Sequence, residues 1–388
     1  MRVLHYVKQF SPLSETFVYN QIIDLQSGGI ENFVVTHKRV NAEGRPFAPV
    51  FELSEKKSFF YREMQRFLRK HGYYKYALST KVWKEILRKF APDVIHCHFG
   101  KSGFYVASIL DKIKIDLPLL IAFHGTDVLK TPFEDASYKS QIQRTSLKKK
   151  VAFTTPTLFL KNLAVSNFGI QPDKIVVNPN GFRCDFNGFY RVRKNDGHSS
   201  FKIINIARFT AWKGQDYLIK AFREFSGRVD CDVALTLVGY GERKPALLQL
   251  INDLGLQDKV TVLESVPHES IPAILKEHDL YVQPSITDHK TKQAESFGVS
   301  ILEAVAVGLP VIVTDSGGMQ EVVLGGDQAT AIVVEEKNCR ALCEAMTRVY
   351  ECGRNIDPVL RSRILERYNQ PNNTAAVVRM YEYLLQDG

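Results

Sequence analysis

The chain reads as an α/β protein built from two consecutive doubly wound, Rossmann-like halves. Three observations predict this. Short apolar strands alternate with helical patterns over almost the whole length, the signature of parallel sheets made from βαβ units. At 388 residues the chain exceeds what one core comfortably serves. The rhythm also breaks once, around 188–200, where a polar run interrupts the apolar spacing before a fresh cycle begins. The expected domains are therefore 1–190 and 195–370, with a last amphipathic helix, 371–388, packing back onto the first.

In the first half the apolar runs predict strands at Val3–Val7, Asn32–Thr36, Val94–His96, Leu119–Phe123, Val151–Thr155 and Lys174–Val177. A helix over Glu15–Gln26 is expected to start after Ser14, a good N-cap, and to stop at Gly28 and Gly29. In the second half strands are expected at Lys202–Ala207, Ala234–Val238, Val260–Leu263, Leu280–Gln283, Val311–Thr314 and Ala331–Val334. Between them fall helices such as Asp216–Phe225, Pro245–Leu254, Ile271–Glu277 and Arg340–Cys352, and Pro371 opens the last one, reaching Leu385. Ligands of such folds bind outside the carboxyl ends of the strands, here in a crevice between the halves.

No apolar run approaches the length that spans a bilayer, and the N-terminus reads as a first strand rather than a leader. The six cysteines form no CxxC pair and no metal-ligand spacing, which fits reduced thiols and a cytoplasmic setting. Charge is uneven. Residues 1–195 hold 31 Lys and Arg against 16 Asp and Glu, whereas 196–388 hold 20 against 26. The stretch 56–89 concentrates 11 basic side chains against 2 acidic ones, interleaved with aromatics including Phe59, Phe60 and Trp83. That mixture suits an anionic membrane surface, with Phe59, Phe60 and Trp83 inserting at headgroup level, though a nucleic acid or a plain solvated face would carry the same pattern.

The most informative stretch is Glu295-Ser296-Phe297-Gly298-Val299, followed by Leu302 and Glu303. Glu303 is expected to begin a helix and Glu295 to sit on the loop entering it. The amides around Phe297, Gly298 and Val299 would then be helix-start donors for an anion, flanked by two carboxylates whose natural partners are sugar hydroxyls. Arg208 and Lys213, five residues apart between a strand and a helix, can straddle a diphosphate, one as a fork and the other as a point charge. Trp212 and Gly214 lie beside them. Gly239 and Gly241 after a strand suit either a phosphate loop or a tight turn. His124 ends an apolar strand before Gly125. His96 and His98 are expected on alternate faces of a strand end, so one of them would be core. Asp230 and Asp232 precede a strand on the side away from the crevice and read as solvated turn residues rather than a metal pair.

With these residues in place the chain resembles the retaining GT-B glycosyltransferases of glycosyltransferase family 4. The resemblance runs nearly full length and is strongest at Asn205 to Gly214, Leu237 to Gly241, Gln283-Pro284-Ser285, the two glutamates eight positions apart at 295 and 303, and Gly317 to Val322. Ser14 to Phe17, His96 to Gly100, and His124 to Asp127 resemble the branch that builds bacterial exopolysaccharide and envelope glycans. The chain departs from the family where Pro12 to Thr16 replace a Gly-Gly pair, and again at Leu263 to Pro267.

The resemblance implies a two-domain GT-B fold with a deep crevice and a metal-independent, retaining transfer of a hexose from a nucleotide sugar, UDP-glucose first among donors. No cofactor is implied. Catalytic roles fall to His124, Arg208, Lys213 and Glu295. The donor would meet Arg208, Lys213, Gly239, Val266, Glu295, Ser296, Phe297, Gly298, Val299, Leu302 and Glu303, with Glu295 on the hexose, Glu303 on the ribose diol and Val266 near the base. Glu15, Thr16, His98 and Lys101 would line the acceptor side. The implied partners are a nucleotide-sugar donor, a lipid-linked or oligosaccharide acceptor and an anionic membrane surface on the inner face of the cell membrane, with no nucleic acid. Two alternatives stay open: a non-hydrolysing nucleotide-sugar epimerase, and a non-enzymatic protein that binds anionic lipid or nucleic acid.

Overall fold

The structure is a computed structural model that describes residues 1–12, 15–53, 77–182, 186–190, 200–264, 266–323, 331–352 and 355–386. Contacts divide the chain into two compact units. One comprises 1–156, 161–181 and 370–388; the other comprises 157–160 and 182–369.

The first unit holds seven strands: β1 (Arg2–Phe10), β2 (Glu31–Arg39), β3 (Val50–Glu52), β4 (Val94–His98), β5 (Leu119–Ala122), β6 (Val151–Thr155) and β7 (Ile175–Val177). They pair in parallel in the order β3-β2-β1-β4-β5-β6-β7. The second holds β8 (Ser200–Ile206), β9 (Asp232–Val238), β10 (Val260–Leu263), β11 (Leu280–Gln283), β12 (Val311–Thr314) and β13 (Ala331–Val334), in parallel order β10-β9-β8-β11-β12-β13. Strand order reverses between β1 and β4 in the first unit and between β8 and β11 in the second. These are the switch points where doubly wound sheets receive ligands at their carboxyl ends. The α/β, Rossmann-like architecture expected from the alternating apolar runs is the one observed.

The central strands are buried on both faces because helices cover both. Every residue of β4, β5, β6, β11 and β12 is buried. Helix Gln215–Phe225 shows how a covering helix is specified. Leu218, Ile219, Phe222 and Phe225 fall on one stripe and are fully buried against Phe201 and Leu235. Each such side chain contributes about 1.5–3 kcal/mol on burial. The last helix, Gln370–Gln386, belongs to the first unit, where Val377, Met380, Tyr381 and Leu384 pack on Val3, Val94 and Leu120.

Two expectations need correction here. The helix expected to begin after Ser14 runs over Thr16–Ser27 with Glu15 in the capping position and no side-chain cap; Ser14 itself lies outside the described residues. Trp83, expected at the headgroup level of a membrane, is fully buried. It sits on helix Ala77–Phe90, donates to the Tyr105 hydroxyl and packs edge-on against Tyr6. Its spacing with Ile86, Leu87 and Phe90 is a core stripe, and the exposed side of the helix carries Lys81, Lys84, Arg88 and Lys89. Residues 54–76, with Phe59, Phe60 and most of the basic stretch, lie outside the described residues. Among the described residues no helix is long and apolar enough to cross a membrane.

Candidate functional site

In the second unit the candidate donor residues converge at the switch point. Arg208 is exposed two residues past β8, and the loop after it closes into the short turn Ala211–Lys213. Trp212 underlies both cations, with the Arg208 guanidinium 5.8 Å and the Lys213 ammonium 4.4 Å from its ring centre. Gln215 at the next helix start donates to the Arg208 carbonyl at 3.1 Å, which fixes the turn. Gly239 and Gly241 make room for this loop. A Cβ at Gly239 would lie 2.0 Å from the Ala207 carbonyl oxygen, and one at Gly241 would lie 2.3 Å from that of Phe209. The close approach of this loop accounts for both glycines.

Glu295 and Glu303 are both buried, at 7% and 4% exposure, an uncommon state for carboxylates that asks for partners. Glu295 is paired with Lys213, whose side chain is itself only 12% exposed. The sequence assigns these two residues to different parts of one donor; the fold brings them into direct contact. Lys213 is therefore half of a buried ion pair rather than a solvent-exposed cation, and removing either partner leaves the other uncompensated. The backbone of Glu295 is pinned by the Gly317-Gly318 pair. The Gly318 amide donates to the Glu295 carbonyl at 2.8 Å, and a Cβ at Gly317 would lie 2.0 Å from that oxygen.

Glu303 does not begin its helix. The helix is Val299–Val307, preceded by Gly298 in a left-handed conformation, so Glu303 stands a turn inside it. There its carboxylate meets His268 at 2.8 Å, a partner that the sequence does not reveal because it comes from the short turn His268–Ser270. Ser300, on the same helix, bonds Tyr281, which reaches Gln283 in turn; this buried polar chain ties the helix start to β11. Leu302 is fully buried and Phe297 is 2% exposed against Tyr368, so both side chains belong to the core. Val266 is half-buried beside the same core, and Ser296 and Val299 are half-buried at the loop and helix start. Asp230 and Asp232 are exposed at the amino end of β9, the opposite end of the sheet from Arg208.

In the first unit four imidazoles form a stack. The expectation of alternate faces for His96 and His98 is corrected: their rings stack 4.4 Å apart, because residues two apart on a strand share a face. His98 also stacks on His124 at 5.8 Å and on His5 of β1 at 5.6 Å. The tautomers can be read from Asn32. Its amide nitrogen donates to the Ile30 carbonyl at 3.0 Å, which turns its oxygen toward His5 Nε2, the donor at 3.0 Å. His5 Nδ1 is then the acceptor for His98 Nε2 at 3.3 Å. His96 Nδ1 shares a 2.7 Å hydrogen bond with the Tyr381 hydroxyl of the last helix.

Burial holds all four rings neutral. It lowers His5 to about 4 and His124 to about 3, and puts His96 and His98 well below the ordinary histidine range. Nitrogens of His5, His96 and His98 come within 4.8 Å of one another, close enough to hold a metal ion, a grouping that sequence spacing does not reveal. On the expected acceptor side, Lys101 is exposed and pairs with Asp135 at 3.7 Å, while Glu15 and Thr16 are half-buried at the first helix start.

Two doubly wound parallel-sheet units, the second gathering Arg208, Lys213, Glu295 and Glu303 beyond the carboxyl ends of its strands, match the fold of GT-B glycosyltransferases. Residues 14–186 match the Glycosyltransferase Family 4 model and residues 189–367 match Glycosyl transferases group 1. Together these span nearly the whole chain, which belongs to the glycosyltransferases they describe. Over its full length it is 25% identical to the full length of the putative colanic acid biosynthesis glycosyltransferase WcaL of Salmonella typhimurium. It is also 25% identical to the amylovoran biosynthesis glycosyltransferase AmsK of Erwinia amylovora, over 73% of this chain and 68% of that one. Among solved structures, a glycosyltransferase from Rickettsia africae superposes with a TM-score of 0.75 at 20% identity, covering 100% of this chain and 99% of the other. Anabaena HepE in complex with UDP and glucose gives 0.74 at 18%, covering 98% of each. The structural likeness carries the fold.

Proposed function

We propose that this glycosyltransferase moves a hexose, with retention, from a nucleotide sugar to a hydroxyl of a lipid-linked glycan during exopolysaccharide or envelope polysaccharide synthesis. The observation that carries this is the gathering of Arg208, Lys213 and two buried carboxylates, Glu295 and Glu303, beyond the carboxyl ends of β8 and β11, with Lys213 paired to Glu295. Breaking a glycosyl–phosphate bond loads negative charge onto the leaving diphosphate. Fixed cations at that spot favour the transition state without a metal, so the proposed reaction is metal-independent. Glu303 is suited to accept hydroxyl hydrogens of the ribose, and Glu295 those of the hexose. Val266 is proposed near the base, and His124 as the contact to the hexose. Retention is assigned to front-face substitution, in which the leaving phosphate helps deprotonate the incoming hydroxyl.

UDP-glucose is the first donor to test, a choice supported by the Anabaena relative of the same fold, whose structure holds UDP and glucose. A relative 35% identical over 34% of this chain is named as GDP-mannose-dependent, which keeps that donor in the panel. The colanic acid and amylovoran relatives support the polysaccharide assignment. The acceptor points to the inner face of the cell membrane as the place of work.

Incubation with a labelled UDP-sugar, first alone and then with a membrane extract, tests the reading. Label passing into extract glycan only when extract is present supports the transferase. Interconversion of the sugar without extract would instead establish the epimerase.

A further inference from the structure

A further carboxylate, outside the donor site, has no role in the reaction as proposed. Asp127 is 4% exposed, directly below the loops that follow β4 and β5. It forms no ion pair among the described residues. Its oxygens instead accept backbone N–H groups from both loops: Gly125 at 2.9 Å, His124 at 3.1 Å and Gly100 at 3.1 Å. A carboxylate buried only to receive main-chain donors locks those donors in place, because each N–H left without it would be orphaned in the interior.

The backbone it holds is one that would not choose its shape unaided. Phe99, between His98 and Gly100, has φ 72 and ψ 143, a region that bulky residues avoid at a cost of about 1–3 kcal/mol. That conformation puts the Phe99 ring 4.7 Å from the His124 ring, edge-on, with Phe17 at 4.7 Å as a further neighbour. A side chain at Gly100 would force its neighbours to shift, since a Cβ would lie 2.0 Å from the Tyr138 hydroxyl and 2.8 Å from the Phe123 ring.

From this geometry we infer that Asp127 is a positioning residue for the transfer reaction, clamping the strained His98-Phe99-Gly100 turn and the His124-Gly125 turn into one rigid wall that aims His124. The inference rests on the reading of His124 as a substrate contact. Asparagine at 127 keeps the shape but offers an NH2 where an N–H donor now points, so at least one clamp bond breaks and the wall loosens. A small misplacement of a contact residue slows turnover by about 10–100-fold.

The test compares Asp127→Asn and His124→Ala with wild type for kcat and for UDP affinity by calorimetry. The expected result is a fall in kcat of about 10–100-fold for Asp127→Asn, with the dissociation constant of UDP within about twofold of wild type. A His124→Ala protein with normal kcat would defeat the reading of His124 on which the inference rests. An inactive His124→Ala beside a fully active Asp127→Asn would overturn the clamp alone. Amide exchange on the wild-type protein needs no variant: Gly100, His124 and Gly125 should exchange far more slowly than open loop amides. Exchange of these three at the open-loop rate would overturn the inference even if Asp127→Asn does not fold.

Discussion

Acidification should unfold the first unit, and its four buried imidazoles set the scale. His5, His96, His98 and His124 all titrate below their unfolded value in the native state. The stability that a neutral buried histidine contributes is fully present above its unfolded pKa, about 6.5, and is lost as pH falls toward the folded value. Between the unfolded and the folded value, each contributes a slope of about 1.4 kcal/mol per pH unit. Asp127 acts in the opposite sense. Burial raises it to about 6, so its share is present at low pH and is lost as pH rises through that value.

Combining the four losses with this one gain gives a net loss of about 3 kcal/mol between pH 6.5 and 5.5, and about 5 kcal/mol by pH 5. A domain typically has only about 5–15 kcal/mol in total. The assay is urea unfolding at pH 7.5, 6.5 and 5.5. Buried Trp83 can serve as the reporter of this unit in a Trp212→Phe background, since the chain has 2 tryptophans. The urea midpoint should fall steeply below pH 6.5, and His98→Asn should lessen the slope by about 1 kcal/mol per pH unit. Equal midpoints at pH 7.5 and 5.5 would refute the claim that the four rings are held neutral.

Three further outcomes follow from the geometry of the site and a fourth from the charge of the sequence. Arg208→Ala should cost about 2–4 kcal/mol of transition-state stabilisation with the fold intact, and EDTA should leave the wild-type rate unchanged; a strict divalent-cation requirement in the kinetics would reopen the metal question. Lys213→Ala should lose activity and also melt earlier, because Glu295 is left buried and unpaired; a double Lys213→Met, Glu295→Leu variant should regain much of that melting temperature while staying inactive. Glu303→Gln should weaken UDP binding in calorimetry, whereas Glu295→Gln should lower turnover; equal loss of UDP affinity in both would contradict the division of roles. Vesicle flotation should show binding to anionic lipid that weakens with salt and drops when Arg62, Arg66, Arg69 and Lys70 become Glu, and no binding at low salt would leave the basic stretch a solvated face.

Most strands are legible in the sequence because each is a short apolar run with clear ends, fully buried in β6, β11 and β12 and part-exposed in the edge strands β10 and β13. Val151–Thr155, Val260–Leu263, Leu280–Gln283, Val311–Thr314 and Ala331–Val334 match residue for residue. The misses share physical causes. β1 and β2 run on through Lys8, Gln9 and Lys38, where main-chain pairing continues after apolar patterning has stopped. β3 is an edge strand of three residues with no apolar period to read. Within the site, single motifs are legible, but their partnerships are not. Lys213 and Glu295 lie 82 residues apart, His268 and Glu303 lie 35 apart, and Asp127 and Gly100 lie 27 apart. Such pairs exist only once parallel strands bring their carboxyl ends together. Trp83 is misplaced by composition because a basic, aromatic-rich helix has the same content whether its rings face lipid or a core. Only the stripe of Trp83, Leu87 and Phe90 distinguishes the two.

The central claim is transfer of a hexose from a nucleotide sugar to a glycan. Its most direct measurement is mass analysis of the products after purified protein meets an envelope-lipid extract and a panel of nucleotide sugars, one at a time. The account predicts that one donor, UDP-glucose first, loses its sugar as free nucleoside diphosphate appears, that a lipid-linked glycan gains one hexose, and that Arg208→Ala suppresses both changes. A panel in which no nucleotide sugar is consumed, or one is altered without acceptor, would contradict it.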